Sequence, residues 1–132
     1  MRYLLDVNAL VAFGHTEHQF HARVVSWAAK VAGTNIPEFA TSPITELGFV
    51  RVMYQVYGVS IVEAKALLAA LKEYEGLDFL FIADGHDASQ LPLWVSSGKQ
   101  TTDGHLVELA ISNGCVLATL DENIPGSFVI PE

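Results

Sequence analysis

The sequence predicts an α/β fold: a parallel sheet of four to five short strands with helices on both faces, in one domain spanning residues 1–132. Two observations point there. Short apolar runs of strand length alternate with segments whose apolar residues recur at helical spacing, an order that gives a parallel sheet with crossover helices. The chain is also 51% hydrophobic with a mean hydropathy of +0.34, which calls for a core covered on both sides of the sheet.

Tyr3-Leu4-Leu5 reads as the first buried strand, and Asn8 to Phe13 as a short helix stopped by Gly14. Phe20, Val24, Trp27, Ala28 and Val31 share one stripe of an amphipathic helix that ends near Gly33. Phe39-Ala40-Thr41 is a brief strand. Ser42-Pro43 supplies an N-cap with proline in the first helical position, and the helix runs to about Tyr57, before Gly58. Ser60 to Glu63 matches a capping box; the helix behind it turns Ala64, Leu67, Leu68 and Leu71 inward and ends at Gly76. Phe79 to Ile82 is the third strand. From Ala83 to Thr101 the pattern is irregular, with a short helix expected around Leu93-Trp94. Asp103 to Asn113 forms a helix closed by Gly114, Val116 to Thr119 the fourth strand, and Phe128 to Ile130 a short edge strand.

Four acids sit at the ends of these elements. Asp6 ends the first strand, Asp121 follows the fourth, Asp103 opens a helix, and Glu46 lies on a helix stripe with Phe49, Val50 and Met53. Strand ends and helix starts gather at one edge of a parallel sheet, where ligands bind in open α/β folds. Converging carboxylates repel one another, and a hard divalent cation with oxygen ligands is the natural counter-charge. Each acid also has an ordinary structural explanation. Asp6 and Asp103 suit helix N-termini, with Asn8 capping the first helix; Asp121 suits a polar turn; Glu46 can reach water from the margin of a buried face. A rival metal site at His15, His18 and His21 reads better as a solvated cluster, because the first two fall in a loop after Gly14. His105 stands within reach of a phosphate, and His86 has no evident role. No nucleophile elbow or phosphate-binding glycine loop occurs.

Composition bounds the partners. A net charge of −8 opposes general nucleic-acid affinity, yet six of the seven basic residues precede Gly76, so the N-terminal part can present a local basic surface. No apolar stretch approaches the roughly 20 residues of a membrane span, no signal peptide is visible, and the lone Cys115 forms no internal disulfide. A cytoplasmic protein is expected.

Four segments taken together resemble the PIN-domain ribonucleases, most closely the VapC-type toxins of bacterial toxin–antitoxin pairs. They are Leu4-Leu5-Asp6-Val7-Asn8-Ala9-Leu10, Thr45-Glu46-Leu47-Gly48-Phe49-Val50-Arg51, Thr102-Asp103-Gly104-His105-Leu106 through Leu109-Ala110, and Leu117-Ala118-Thr119-Leu120-Asp121. The resemblance implies that Asp6, Glu46, Asp103 and Asp121 are the catalytic, metal-binding acids for Mg²⁺ or Mn²⁺. It places Asn8 beside the first acid and Thr102 before the third, where they would orient ligands or contact phosphate, with Arg51 among the residues that would bind the RNA backbone. It further implies RNA cleavage, a homodimer and a cognate VapB-type antitoxin. The residues after Asp121, Glu122-Asn123-Ile124-Pro125-Gly126, depart from the glycine or basic residue and aromatic common in relatives. Two other readings stand beside this one: a non-catalytic interaction module, and a receiver-like phosphoryl-transfer domain. The second normally has an acid pair at the first strand and a late lysine; here Asn8 stands in place of a second acid, and no lysine follows Lys99.

Overall fold

In the computed structural model, which describes residues 1–33 and 38–132, ten regular elements follow one another. They are β1 (Arg2–Leu5), α1 (Val7–Gly14), α2 (His21–Val31), β2 (Phe39–Thr41), α3 (Pro43–Gln55), α4 (Ile61–Lys72), β3 (Phe79–Phe81), α5 (Thr101–Ser112), β4 (Cys115–Thr119) and β5 (Phe128–Val129). The strands form one parallel sheet in the order β3-β2-β1-β4-β5. The chain fills one side of β1 first and then crosses to the other, so the switch point lies between β1 and β4, with Leu5 opposite Ala118.

Strand alternation divides the core in two. Leu5, Phe39 and Ala118 face a layer made by α1 to α4, together with Leu10, Val24, Trp27, Phe49, Met53 and Leu68. Their neighbours Leu4, Ala40 and Leu117 face the opposite way, onto Leu106, Leu109 and Ala110 of α5. Helices therefore cover both faces as expected, four on one and one on the other.

The helix starts are set by local chemistry. Ser42 and Thr45 form a reciprocal capping box at the start of α3: Ser42 Oγ accepts from the Thr45 amide, and Thr45 Oγ1 accepts from the Ser42 amide at 2.9 Å. At α4 the Ser60 hydroxyl accepts from the Glu63 amide at 3.1 Å. α4 stops at Lys72, before the expected end at Gly76. α5 begins at Thr101, which makes Asp103 a first-turn residue and not the cap.

The expected helix around Leu93-Trp94 is absent. That stretch is a turn between two single 3₁₀ turns, Ala88–Gln90 and Gly98–Gln100, tied by a bond from Val95 N–H to Pro92 O at 3.1 Å. Pro92 has no amide hydrogen to donate, and Leu93 is fully exposed, so neither a backbone ladder nor a buried stripe supports a helix there.

Two glycines let acid-bearing helices sit close to their neighbours. A Cβ on Gly104, next to Asp103, would stand 2.3 Å from Val95 Cγ2; one on Gly48, two residues past Glu46, would stand 2.4 Å from Val7 Cγ2. In an open helix, Gly→Ala would stabilise by about 1 kcal/mol. At Gly48 the overlap falls on a β-branched side chain with little rotamer freedom, and overpacking costs roughly 1–3 kcal/mol. Gly48→Ala is expected to lower stability by about 1 kcal/mol in urea unfolding, with Val7→Ala in the same chain restoring part of the loss. A gain in stability for the single variant would show that α1 and α3 are not packed this closely.

Candidate functional site

Asp6 lies at the switch point, and both its carboxylate oxygens are engaged. Oδ1 accepts from the Ala9 amide at 2.8 Å, which makes Asp6, and not Asn8, the N-cap of α1. Oδ2 accepts from the Thr119 hydroxyl at 2.5 Å, across from β4. Thr119 also uses its oxygen to accept from the Asp121 amide at 3.0 Å, so one buried hydroxyl ties the end of β1 to the turn after β4. Asp6 is 6% exposed. Burial lifts its carboxyl to about 6 from an ordinary 3.8; the bonds from Thr119 and Ala9 act against that rise, and the charges of Asp103 and Asp121 add to it.

Asp103, in the first turn of α5, is half-buried. Its carboxyl is also pushed up, first by burial and then by the charge of Asp121. Asp121 is exposed, and its Oδ1 accepts from the Asn123 amide at 2.8 Å, closing a local turn. The three aspartates thus share one electrostatic field while each belongs to a different element. Among the described residues none of them forms an ion pair with Lys, Arg or His. Nor, among those residues, do three His, Cys, Asp or Glu side chains already close on a single coordination position.

Glu46 stands apart from these three. Its Oε2 accepts from Lys72 Nζ of α4 at 2.6 Å and from the Thr41 hydroxyl at 2.6 Å. The Lys72 ammonium also sits 5.5 Å from the centre of the Phe81 ring. A partially buried carboxylate on this helix face requires a partner, and that partner comes from 26 residues away, beyond the reach of any local pattern. Asn8 is exposed on the first turn of α1, and Thr102 is exposed on the first turn of α5. Arg51 is exposed on α3 and lines a groove of about 670 Å³ between α3 and α4, with Leu47, Tyr54, Ile61, Lys65 and Lys72.

The histidine cluster is structural. His21 Nδ1 lies 2.8 Å from the Ala12 carbonyl, His18 Nδ1 accepts from the Phe20 amide at 3.0 Å, and His15 rests on Tyr57 with ring centres 4.4 Å apart. His105 is held by Asp84, Nε2 to Oδ2 at 2.5 Å. Asp84 escaped the sequence reading, although it follows β3 at the same edge of the sheet as the other acids. The spacing Asp84-x-His86 after an apolar run was the available signal.

The donor chemistry of the three aspartates fits a hard cation. They offer oxygen ligands only, and their mutual repulsion lacks a counter-charge within the described residues. As placed, Glu46 is neutralised by Lys72 and does not join them.

Comparison with known proteins follows the same outline. The PIN domain family model matches residues 3–126. Ribonuclease VapC38 of Mycobacterium tuberculosis is 38% identical over 125 residues, covering 92% of this chain and 86% of the relative. Ribonuclease VapC39 of the same organism is 34% identical over 137 residues, covering 96% and 94%. Among solved structures, the M. tuberculosis VapC20 crystal structure, described as that of a sarcin–ricin loop cleaving toxin, superposes with a TM-score of 0.67. It covers 98% of this chain and 99% of its own at 13% identity, a likeness of fold.

The raised carboxyl of Asp6 has a consequence for stability. Its folded value, about 6, lies above the unfolded 3.8, so the native state holds the proton more tightly. The stability this contributes is full below about pH 4 and is lost as pH rises through 6. Asp6→Asn keeps the size and an acceptor for Ala9 and removes the buried charge. In metal-free buffer the variant is expected to be more stable than the parent by roughly 1–2 kcal/mol at pH 7.5 and to lose that advantage near pH 4. Urea titrations at the two pH values check this; parallel curves for both proteins across the range would mean that Asp6 carries no uncompensated charge in the native state.

Proposed function

The chain belongs to the PIN-domain family, within its VapC-type group, and on that premise we propose that it is a metal-dependent endoribonuclease and the toxin of a toxin–antitoxin pair. The observation that carries the reading is the field shared by Asp6, Asp103 and Asp121: three oxygen-donor side chains, one of them buried, with no cationic partner among the described residues. Such an arrangement is costly unless an external cation completes it. Mg²⁺ or Mn²⁺ is the fitting class, and its holders are Asp6, Asp103 and Asp121, with Glu46 joining on release from Lys72.

When bound, such a cation supplies Lewis-acid activation of a water nucleophile and neutralises charge on the scissile phosphate. The chain's own residues do the positioning. The Ala9 amide and the Thr119 hydroxyl hold both oxygens of Asp6, so the carboxylate is ordered before any ligand arrives. Asn8 and Thr102, exposed on the first turns of α1 and α5, offer an amide and a hydroxyl to the phosphate oxygens of RNA. Arg51, on the same helix as Glu46, supplies backbone affinity that the net charge of −8 does not.

Assembly belongs to the same reading. Leu47, Tyr54, Val56 and Tyr57 along α3 and the turn after it, with Ile61 and Val62 at the start of α4, are all exposed. So much apolar surface in one region marks a protein contact, and we assign it to a two-fold homodimer. The antitoxin would dock along the basic rim near Arg51, offering an Arg or Lys towards the carboxylates. A cytoplasmic setting accords with Cys115 being a buried free thiol and with no described helix being long and apolar enough to cross a membrane.

Three experiments test this. Millimolar Mg²⁺ or Mn²⁺ is expected to raise the melting temperature of the parent, and Asp6→Asn with Asp103→Asn to abolish the rise; an interaction module without a metal site would show no saturable shift. Expression of the parent is expected to arrest bacterial growth and to cleave RNA, and Asp6→Ala to lower cleavage by orders of magnitude while remaining folded. A folded Asp6→Ala protein as active as the parent would remove Asp6 from the mechanism. Light scattering at tens of micromolar is expected to give a dimer.

A further inference from the structure

The stretch between β3 and α5 holds a second polar cluster that the metal reading leaves unused. Asp84 accepts from His105 Nε2 and, at 3.0 Å, from the His86 amide. The side chains of His105 and Asp84 are only 15% and 9% exposed. Burial works against the Asp84 carboxylate, but the bonds from His105 and His86 outweigh it and hold its carboxyl below the ordinary range. An ionised carboxylate can only accept, so it fixes the His105 proton on Nε2 and leaves the Nδ1 edge unused by Asp84. The His86 ring stands edge-on to that of His105, with centres 6.2 Å apart and planes at 81°. Its Nδ1 is buried and has no hydrogen-bond partner.

These two rings line a shallow, open depression of about 220 Å³ together with Ile44, Leu91, Thr102 and Asp87. The volume lies below the roughly 300–1,000 Å³ of pockets for drug-sized ligands, so it suits one ring system and not a whole nucleotide. Its chemistry selects among the parts of RNA. Aliphatic side chains and imidazole rings suit the face of an unstacked base. A phosphate would meet Asp87, with Asp84 behind His105, and no Lys or Arg lines the depression. The location also fits: Thr102 directly precedes Asp103 on α5, and Ile44 lies two residues before Glu46 on α3.

We infer that the depression lined by His86 and His105 is a subsite for a single unstacked base of the RNA strand, next to the phosphate that is cut, and that Asp84 is the positioning residue that sets the His105 ring. The subsite rests on the ribonuclease reading and adds to it a place where the strand is gripped by a base and not by its backbone.

The test uses the shortest RNA that the parent cleaves, together with versions carrying one abasic position at each nucleotide around the cut. Binding is measured by fluorescence anisotropy at low salt with Ca²⁺ in place of Mg²⁺ or Mn²⁺, so that the acids are neutralised while cleavage is slowed. One abasic position is expected to weaken binding to the parent by about tenfold, the worth of one base-stacking contact. His105→Ala is expected to weaken binding of intact RNA by a similar factor and to show no further loss at that abasic position, because both changes remove the same contact. Asp84→Asn, with Mn²⁺ restored, is expected to raise KM several-fold at nearly constant kcat. The subsite is overturned if no abasic position near the cut matters, or if its loss is undiminished in His105→Ala. The abasic scan on the parent decides the matter even where a variant folds poorly. A parent that neither binds nor cleaves RNA removes the ribonuclease reading and the subsite together; a parent that cleaves RNA, with His105→Ala binding and cleaving as the parent does, removes the subsite alone.

Discussion

The hydroxyl of Thr119 is the point on which the functional edge of the sheet depends. It donates to Asp6 after β1 and accepts from the amide of Asp121 after β4, the two strands that flank the switch point. Parallel pairing aligns Leu5 with Ala118, and the Asp6 amide still donates to the Ala118 carbonyl at 3.0 Å. The hydroxyl extends that register by one step and carries it into side chains. With the cap that Asp6 places on α1, it converts strand alignment into the fixed position of one carboxylate. Everything else at the site is placed relative to that group: α5 brings Asp103 into its field, and the turn after β4 brings Asp121.

The acids at this edge fall into two electrostatic kinds. Glu46 and Asp84 each have a partner, Lys72 and His105. Asp6, Asp103 and Asp121 have none among the described residues. The fold could have neutralised all five in the same manner, and its helices already carry the needed residues elsewhere. Leaving three adjacent acids unpaired, one of them buried, works against stability at neutral pH. Local departures of this sort are where function is expected to outweigh folding.

Much of this was legible in the sequence because its punctuation is strong. Ser42-Pro43 and Ser60 start α3 and α4 where expected, Gly58 and Gly114 follow the ends of α3 and α5 with positive φ, and Phe39–Thr41 forms a strand at the expected residues. The apolar runs of β1, β2 and β4 read correctly because these strands lie inside the sheet with helices on both faces, whereas β3 at its edge leaves Leu80 and Phe81 exposed. Legibility failed where periodicity failed. Between Ala83 and Thr101 the backbone is organised by contacts to distant groups: Val95 and Pro92 against Gly104, and Asp84 against His105. No local pattern encodes such pairings. The same limit applies to Glu46, which looked like an acid short of a partner. The partner was real, and it lay on the next helix. Charge spacing along one helix cannot reveal a salt bridge between two.

A net charge of −8 appeared to oppose an RNA partner, and the structure recasts that difficulty. The charge is not evenly spread. Three of the fifteen acids gather in one field, and a bound divalent cation would offset part of it at the place where phosphate must approach. The two paired acids, which follow β2 and β3, add less repulsion, since Lys72 and His105 stand beside them. On the proposed reading, the edge without the cation repels RNA, and a bound cation would lower that repulsion where the phosphate is to approach. Metal and substrate would then be coupled by electrostatics before any chemistry, and the charge of the whole chain would be no guide to what this edge binds.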